Sequence, residues 1–370
     1  MRERSGATLL SRAKRLGLIG GLTGGLMSLA AAGLLASAAP ARAASVTLIE
    51  TGSTLLYPLF NLWVPDYTKA NPSVRFTTQG TGSGTGIAQA ISGVAQIGAS
   101  DAYMSNPQIK QNPNILNVPL AISAQSINYN IPGLNKDHLK LSGPVLAGIY
   151  SGKIKMWDDA AIAALNSGVK LPHHQIIPVH RTDGSGDTFI FSQYLSFSTP
   201  SWAKTVAYGT TISWPAVPGG LGAIGNPGMV QSAQQNPYSI AYIGVSFHAD
   251  IAKAGLGTAM IKNRAGKFLL PSHATVSAAA DGLVKKTPKD ERISLVFSAG
   301  ANAYPIINYE YAIISRKQAN AANAAALKKF LLWCIDPANG NAPKYLTTVR
   351  FVALPAPIVA LSKTQIDMIK

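Results

Sequence analysis

The tripeptide Gly-Ser-Gly occurs twice, in "QGTGSGTGIAQ" (Gln79 to Gln89) and in "RTDGSGDTFIF" (Arg181 to Phe191), each time between a strand-like run and helix-like apolar spacing. That spacing is carried by Ile87, Ile91 and Val94 after the first copy and by Ile190, Phe191, Tyr194 and Leu195 after the second. A third segment, "ETGST" (Glu50 to Thr54), places glycine and hydroxyls ahead of the helical pattern "LLYPLFNLWVPDY". A helix N-terminus carries unpaired N–H groups and a partial positive charge, and glycine lets backbone approach a ligand closely. Three such entrances meeting at one point would form an oxyanion site, whereas one alone is an ordinary Ser/Thr cap.

The segments between these entrances set the fold class. "SVTLIETGST", "SVRFTTQG" and "VAQIGASDA" read as strands separated by helices, a rhythm that predicts an α/β fold with a parallel sheet and crossover helices. From about Gln125 a second set follows: "SINYNIPG", helices around "PVLAGIYSG" and "DDAAIAALN", the strand "QIIPVHRT" and the second Gly-Ser-Gly. Proline and glycine thicken between Pro215 and Pro227, "IAYIGVSF" and "YPIINYEYAIIS" read as buried strands, and "AANAAALKKFLLWCID" as an amphipathic helix.

Spacing excludes several chemistries. Neither glycine cluster continues into the Gly-Lys of a Walker A loop, and "GTGSGTG" does not meet the dinucleotide fingerprint. Residues 81 and 183 are Thr and Asp, so neither Ser83 nor Ser185 sits in a G-x-S-x-G nucleophile elbow. The adjacent pair His173-His174 suits no metal motif, so neither metal nor cofactor is expected. Arg181 supplies a fork able to hold two oxygens of a tetrahedral anion, and Asp183 stands two residues on to orient it. His180 adjoins Arg181 at a strand end, where its side chain should take the opposite face.

Residues 1–43 pass from a basic segment through an apolar one to Ala41-Arg42-Ala43, the form of a cleaved export signal. Cys334 is the only cysteine, which excludes both an internal disulfide framework and a lipid-bearing cysteine at the cleavage site. The chain carries 32 basic and 16 acidic residues, of which only six and one lie in residues 1–43. So basic a chain favours anionic partners, but its longest basic runs are pairs such as Lys285-Lys286 without interleaved aromatics, so nucleic acid is not expected.

"TGSTLLYPLFNLW", "QGTGSGTGIAQ", "IGASDAYM", "HRTDGSGDTFIFSQYLS" and "YPIINYEYAI", in this order, resemble the phosphate-binding proteins of phosphate-specific ABC importers, particularly the mycobacterial-type branch. The resemblance implies a two-lobed periplasmic binding protein of type II, each lobe a sheet flanked by helices, closing about a two-strand hinge on inorganic phosphate. It implies lobes of residues 44–124 with 304–370 and of residues 125–303. It implies a monomer that performs no chemistry and delivers its ligand to a membrane permease. The implied ligand contacts are Ser53, Thr54 and Leu55, then Ser83, then Asp101, then Arg181, Ser185, Gly186 and Asp187, with Leu55 acting through its N–H. Many relatives carry Thr where this chain has Asp187; its carboxylate is expected to cap its helix or pair with Arg181 while its N–H faces the ligand. Receptors for sulfate or molybdate and a secreted phosphatase are the alternatives.

Overall fold

The computed structural model describes residues 45–370; the expected export signal lies outside the described residues. In chain order the strands are β1 (Val46–Gly52), β2 (Val74–Gly80), β3 (Ile97–Ser100), β4 (Ile115–Tyr129), β5 (Lys140–Leu141) and β6 (Ile177–Arg181). They continue as β7 (Leu221–Ala223), β8 (Ser239–Gly244), β9 (Gly257–Thr258), β10 (Met260–Lys262), β11 (Phe268–Leu269) and β12 (Ile307–Ser315). Nine of them form one sheet in the order β2-β1-β3-β12-β4-β8-β6-β7, with β9 on β4, and β11-β10-β5 form a small second sheet.

The fold is α/β and two-lobed. Both flanks of the large sheet are parallel, as strand–helix–strand crossovers require: β1 with β2 and β3, and β6 with β7 and β8. Its centre departs from the all-parallel expectation, because β12 runs antiparallel to β3 and β4, and β4 antiparallel to β8. The run from Ile115 to Tyr129 is one strand, buried throughout. It pairs with β12 up to Ala124 and with β8 from Gln125 onward, so a single strand joins the two halves.

Two local readings change. "DDAAIAALN" shrinks to a single turn, Ala160–Ala163, and Val94 lies beyond its helix, exposed. The first helix, Tyr57–Ala70, begins with Pro58 in its first turn as expected and also carries Pro65 in its interior. Pro65 removes a bond to Asn61, but both residues lie on the exposed face, where water can take the freed carbonyl. The opposite face holds the helix in place: Phe60, Trp63 and Tyr67 are buried against Phe330 and Trp333 of the helix Ala321–Ile335. Cys334 is buried on that same helix and acts as a small apolar residue.

Phe330 is the hub of this cluster, with ring centres 4.5 Å from Phe76 and 4.9 Å from Tyr67. Phe330→Ala is expected to lower stability by about 3–5 kcal/mol, the cost of an aromatic-sized core cavity. Urea unfolding of both proteins measures it.

Candidate functional site

At the first entrance the chain leaves β1 through Gly52, whose φ of +140° and whose approach to Ala99 leave no room for a Cβ. Ser53 then bonds Ala99 through its N–H (2.8 Å), accepts from the Leu56 N–H (2.9 Å) and donates to Asp101. The N–H groups of Thr54 and Leu55 find no acceptor among the described residues, and the Leu55 side chain is buried against Gly244. At the second entrance Gly82 has φ +92°, and the Ser83 hydroxyl lies 3.2 Å from the Asp101 N–H and 3.4 Å from Asp101 Oδ2. At the third, Ser185 caps the helix Gly186–Ser198 by accepting from the Thr188 N–H (3.1 Å), which leaves the N–H groups of Gly186 and Asp187 without an acceptor among the described residues.

The doubled tripeptide is explained by contact between its copies. Gly84 donates its N–H to Gly184 O at 2.8 Å, and a Cβ on Gly84 would lie 3.0 Å from Gly184 Cα. A Cβ on Gly186 would stand 2.3 Å from Asp101 Oδ2 and 2.5 Å from Ser83 Oγ. The three entrances therefore converge, and glycine is needed where the halves of the molecule touch.

Arg181, at the end of β6, is fully buried yet held in place. Its Nε donates to Asp183 Oδ1 at 2.7 Å, one terminal nitrogen donates to Asp183 Oδ2, and the other to Asp187 Oδ2 at 2.9 Å. Three of five N–H bonds are thus committed, leaving one on each terminal nitrogen. Burial alone would depress the guanidinium pKa, but the bond to Asp183 and the charge of Asp187 raise it, so Arg181 stays charged. Burial pulls the Asp183 carboxyl up, but Arg181 outweighs it and holds the group below its usual range. Asp187 does not cap its helix. It takes up the alternative expected role on Arg181 and also accepts from Asn226 Nδ2 (2.7 Å) and Gln125 Nε2 (3.1 Å); burial nonetheless raises its pKa. His180 turns away and stacks on Trp214 at 5.0 Å.

Three residues not singled out in the sequence complete the site. Asn226 is buried and accepts the Gly244 N–H (2.8 Å), while its side-chain amide reaches Thr54 Oγ1 (3.0 Å) as well as Asp187, tying the two halves together. Its one sequence signal is its place inside Gly-Asn-Pro-Gly in the proline-rich stretch. Gln125 joins Asp187 to β4 where that strand changes partners. Asn308 Nδ2 bonds both Asp101 O (3.3 Å) and Glu310 Oε1 (3.1 Å), which sets the buried Glu310 of β12 beside Asp101, and burial followed by the charges of Glu310 and Asp187 pushes the Asp101 carboxyl well above the usual range.

A family model described as a PBP superfamily domain matches residues 37–338. The chain is 33% identical over 344 residues to the phosphate-binding protein PstS of Methanocaldococcus jannaschii, covering 88% of this chain and 87% of that one. The chain belongs to the PstS family. A PstS of Xylella fastidiosa is 32% identical (85% of this chain, 83% of that one), and PstS 3 of Mycobacterium leprae, from the mycobacterial branch of the family, is 31% identical (77% and 78%). The structure of a high-affinity periplasmic phosphate-binding protein (PfluDING) bound with phosphate superposes with a TM-score of 0.68 at 22% identity, covering 86% of this chain and 93% of that one. The PstS fold thus extends over nearly the whole described chain.

If the glycine contacts set the closed form, Gly186→Ala should hold the halves apart. Small-angle scattering of the variant is expected to give a larger radius of gyration than wild type under identical conditions; superimposable profiles would show that the loops do not bear on one another.

Proposed function

We propose that the protein captures inorganic phosphate between its two lobes and delivers it to the membrane permease of an ABC importer. The observation that carries this reading is an acceptor where glycine-rich helix entrances meet: Asp101 accepts from the Ser53 and Ser83 hydroxyls and lies against Gly186, whose N–H has no acceptor among the described residues. A carboxylate there suits an anion that retains a proton near neutral pH, as phosphate does, and leaves sulfate with an unmatched acceptor. Thr54, Leu55, Gly186 and Asp187 would donate through backbone N–H groups, and Ser53, Ser83 and Ser185 would line the site with hydroxyls. Arg181, oriented by Asp183, would grip two oxygens.

Lobes of residues 44–124 with 304–370 and of residues 125–303 would close about the crossings near Ala124 and Ala303. Support comes from β4, which changes partners at Gln125, and from Tyr304, whose hydroxyl donates to Gln125 O at 2.8 Å. No described helix is long and apolar enough to cross a membrane. The export-signal pattern of residues 1–43 supports a periplasmic location. Binding without catalysis is supported by the enclosure of the site: Ser53, Ser83, Ser185 and Asp101 are all buried, which favours a free anion over an ester with a bulky leaving group.

Arg181→Ala is expected to weaken phosphate binding by about 2–5 kcal/mol, as when one partner of a buried charge pair is removed. Arg181→Lys should restore only part, because an ammonium lacks the planar fork. Calorimetry on both variants tests the role. Asp101→Asn preserves shape and can present a donor, so sulfate binding should rise relative to phosphate. Competition titrations showing an unchanged phosphate-to-sulfate ratio would remove Asp101 from the selectivity mechanism.

A further inference from the structure

Two cavities of about 230 and 300 Å³ share Val245, Pro271 and Arg350 in their walls, and neither is lined by any residue of the glycine-rich entrances. They lie where the two halves of the molecule meet. Arg350 and Phe351 go with the β12 half, because the adjoining Val352 exchanges backbone bonds with Ile122 of β4 at 2.8 and 2.9 Å. Val245 directly follows β8, and Ser126, in the wall of the first cavity, lies in the stretch of β4 that pairs with β8. Cavities of this size suit a small molecule, at the low end of ligand pockets.

The lining has one sign of charge. Arg350 stands in both walls, His138 and His248 line the first cavity and His273 the second, and neither cavity is lined by an Asp or a Glu. Among the described residues the ion-paired arginines are Arg181 and Arg292; Arg350 has no acidic partner. His248 Nδ1 is buried with no hydrogen-bond partner among the described residues. The backbone adds a second observation: Arg350 has φ +57° and His138 +45°, two of the six described non-glycine residues at positive φ. Arg350 occupies the turn that ends the short helix Pro343–Leu346, where its N–H bonds Thr347 O (3.2 Å) and the next N–H, of Phe351, bonds Leu346 O (2.8 Å). Glycine is the usual occupant of that position, so an arginine held there against the preference points to a use for its charge.

We propose that Arg350 anchors a second ligand site, one that takes a small organic carboxylate with an aliphatic chain. The guanidinium fork matches a carboxylate at two points, and one permanent cation balances one negative charge. Arg350 is exposed, so a ligand reaches it without local opening. Much of the remaining lining is apolar, with Ile251, Leu256 and Leu270 in the first cavity and Val276 and Phe351 in the second, and it rewards a chain that inorganic phosphate lacks. The proposal is independent of the phosphate reading. Arg181 is clamped by two carboxylates, whereas Arg350 is left without any, so the charge of the ligand itself would be the counter-charge here.

The test is calorimetric titration of the purified protein with hexanoate, acetate and 1-hexanol, with and without phosphate. Hexanoate is expected to bind about tenfold or more tightly than acetate, which lacks the chain, and than hexanol, which lacks the charge; no such preference overturns the proposal. Phosphate should leave hexanoate affinity unchanged, and competition between the two would overturn a separate site. Arg350→Gly places the favoured residue in the turn, so it is expected to keep an undiminished thermal unfolding midpoint while weakening hexanoate by about tenfold or more. An arginine without a ligand has nothing to lose by this change, and wild-type hexanoate affinity in the variant overturns the proposal. Should Arg350→Gly fold poorly, Arg350→Asn, which also tolerates the left-handed region, decides by the same two outcomes.

Discussion

The site depends on one interaction, the clamp of Asp183 and Asp187 on Arg181. A guanidinium stripped of water is costly unless its donors are occupied and its charge is countered, and the two carboxylates do both. They also fix the plane of the fork, which determines where the two remaining N–H bonds point. The clamp is locked into the fold from three directions: Gly225 donates its N–H to Asp183, Asn226 bonds Asp187, and Gln125 reaches Asp187 from β4. Gln125 lies where β4 passes from one half of the sheet to the other, so strand, clamp and site are one connected hydrogen-bond network.

Around that clamp most of the attraction for an anion comes from backbone. Helix N-termini provide N–H groups whose direction is set by secondary structure, so they are already aimed when a ligand arrives. Glycine is what allows the arrangement to close. Gly84 and Gly184 touch across the two halves where a Cβ would be crowded, and Gly186 presses against Asp101 and Ser83 at distances that a side chain would forbid. The same residues that expose the N–H groups therefore permit the enclosure that strengthens their pull on a charge.

Much of this was legible in the chain because local rules produce it. Strand, glycine turn and helix are encoded within a dozen residues, so the three entrances and the neighbours Arg181 and Asp183 could be read directly. Glu310 and Asn226 could not. Glu310 sits in "NYEYAI", where its only mark is a charge among buried aromatic and aliphatic residues, and its direction depends on a bulge opposite Pro119, far away in sequence. Asn226 acts on Thr54, 172 positions earlier. The antiparallel centre of the sheet was missed for a related reason: β12 is inserted between β3 and β4 only after the chain has built the other half and returned.

The charge of the molecule is divided in a way that bears on its selectivity. The chain as a whole is strongly basic, with 32 basic against 16 acidic residues, yet the site interior holds four acids and one arginine. Basic residues at the surface raise the local concentration of any small anion without telling one from another, and salt screens their effect. The interior acts the other way. Its fixed charge opposes an incoming anion, so binding must be won through N–H dipoles and through the proton carried by the ligand. An anion without a proton meets the opposition and lacks the compensating bond. Attraction at the surface and discrimination in the interior are thus assigned to opposite signs of charge, and the second is as strong as burial makes it.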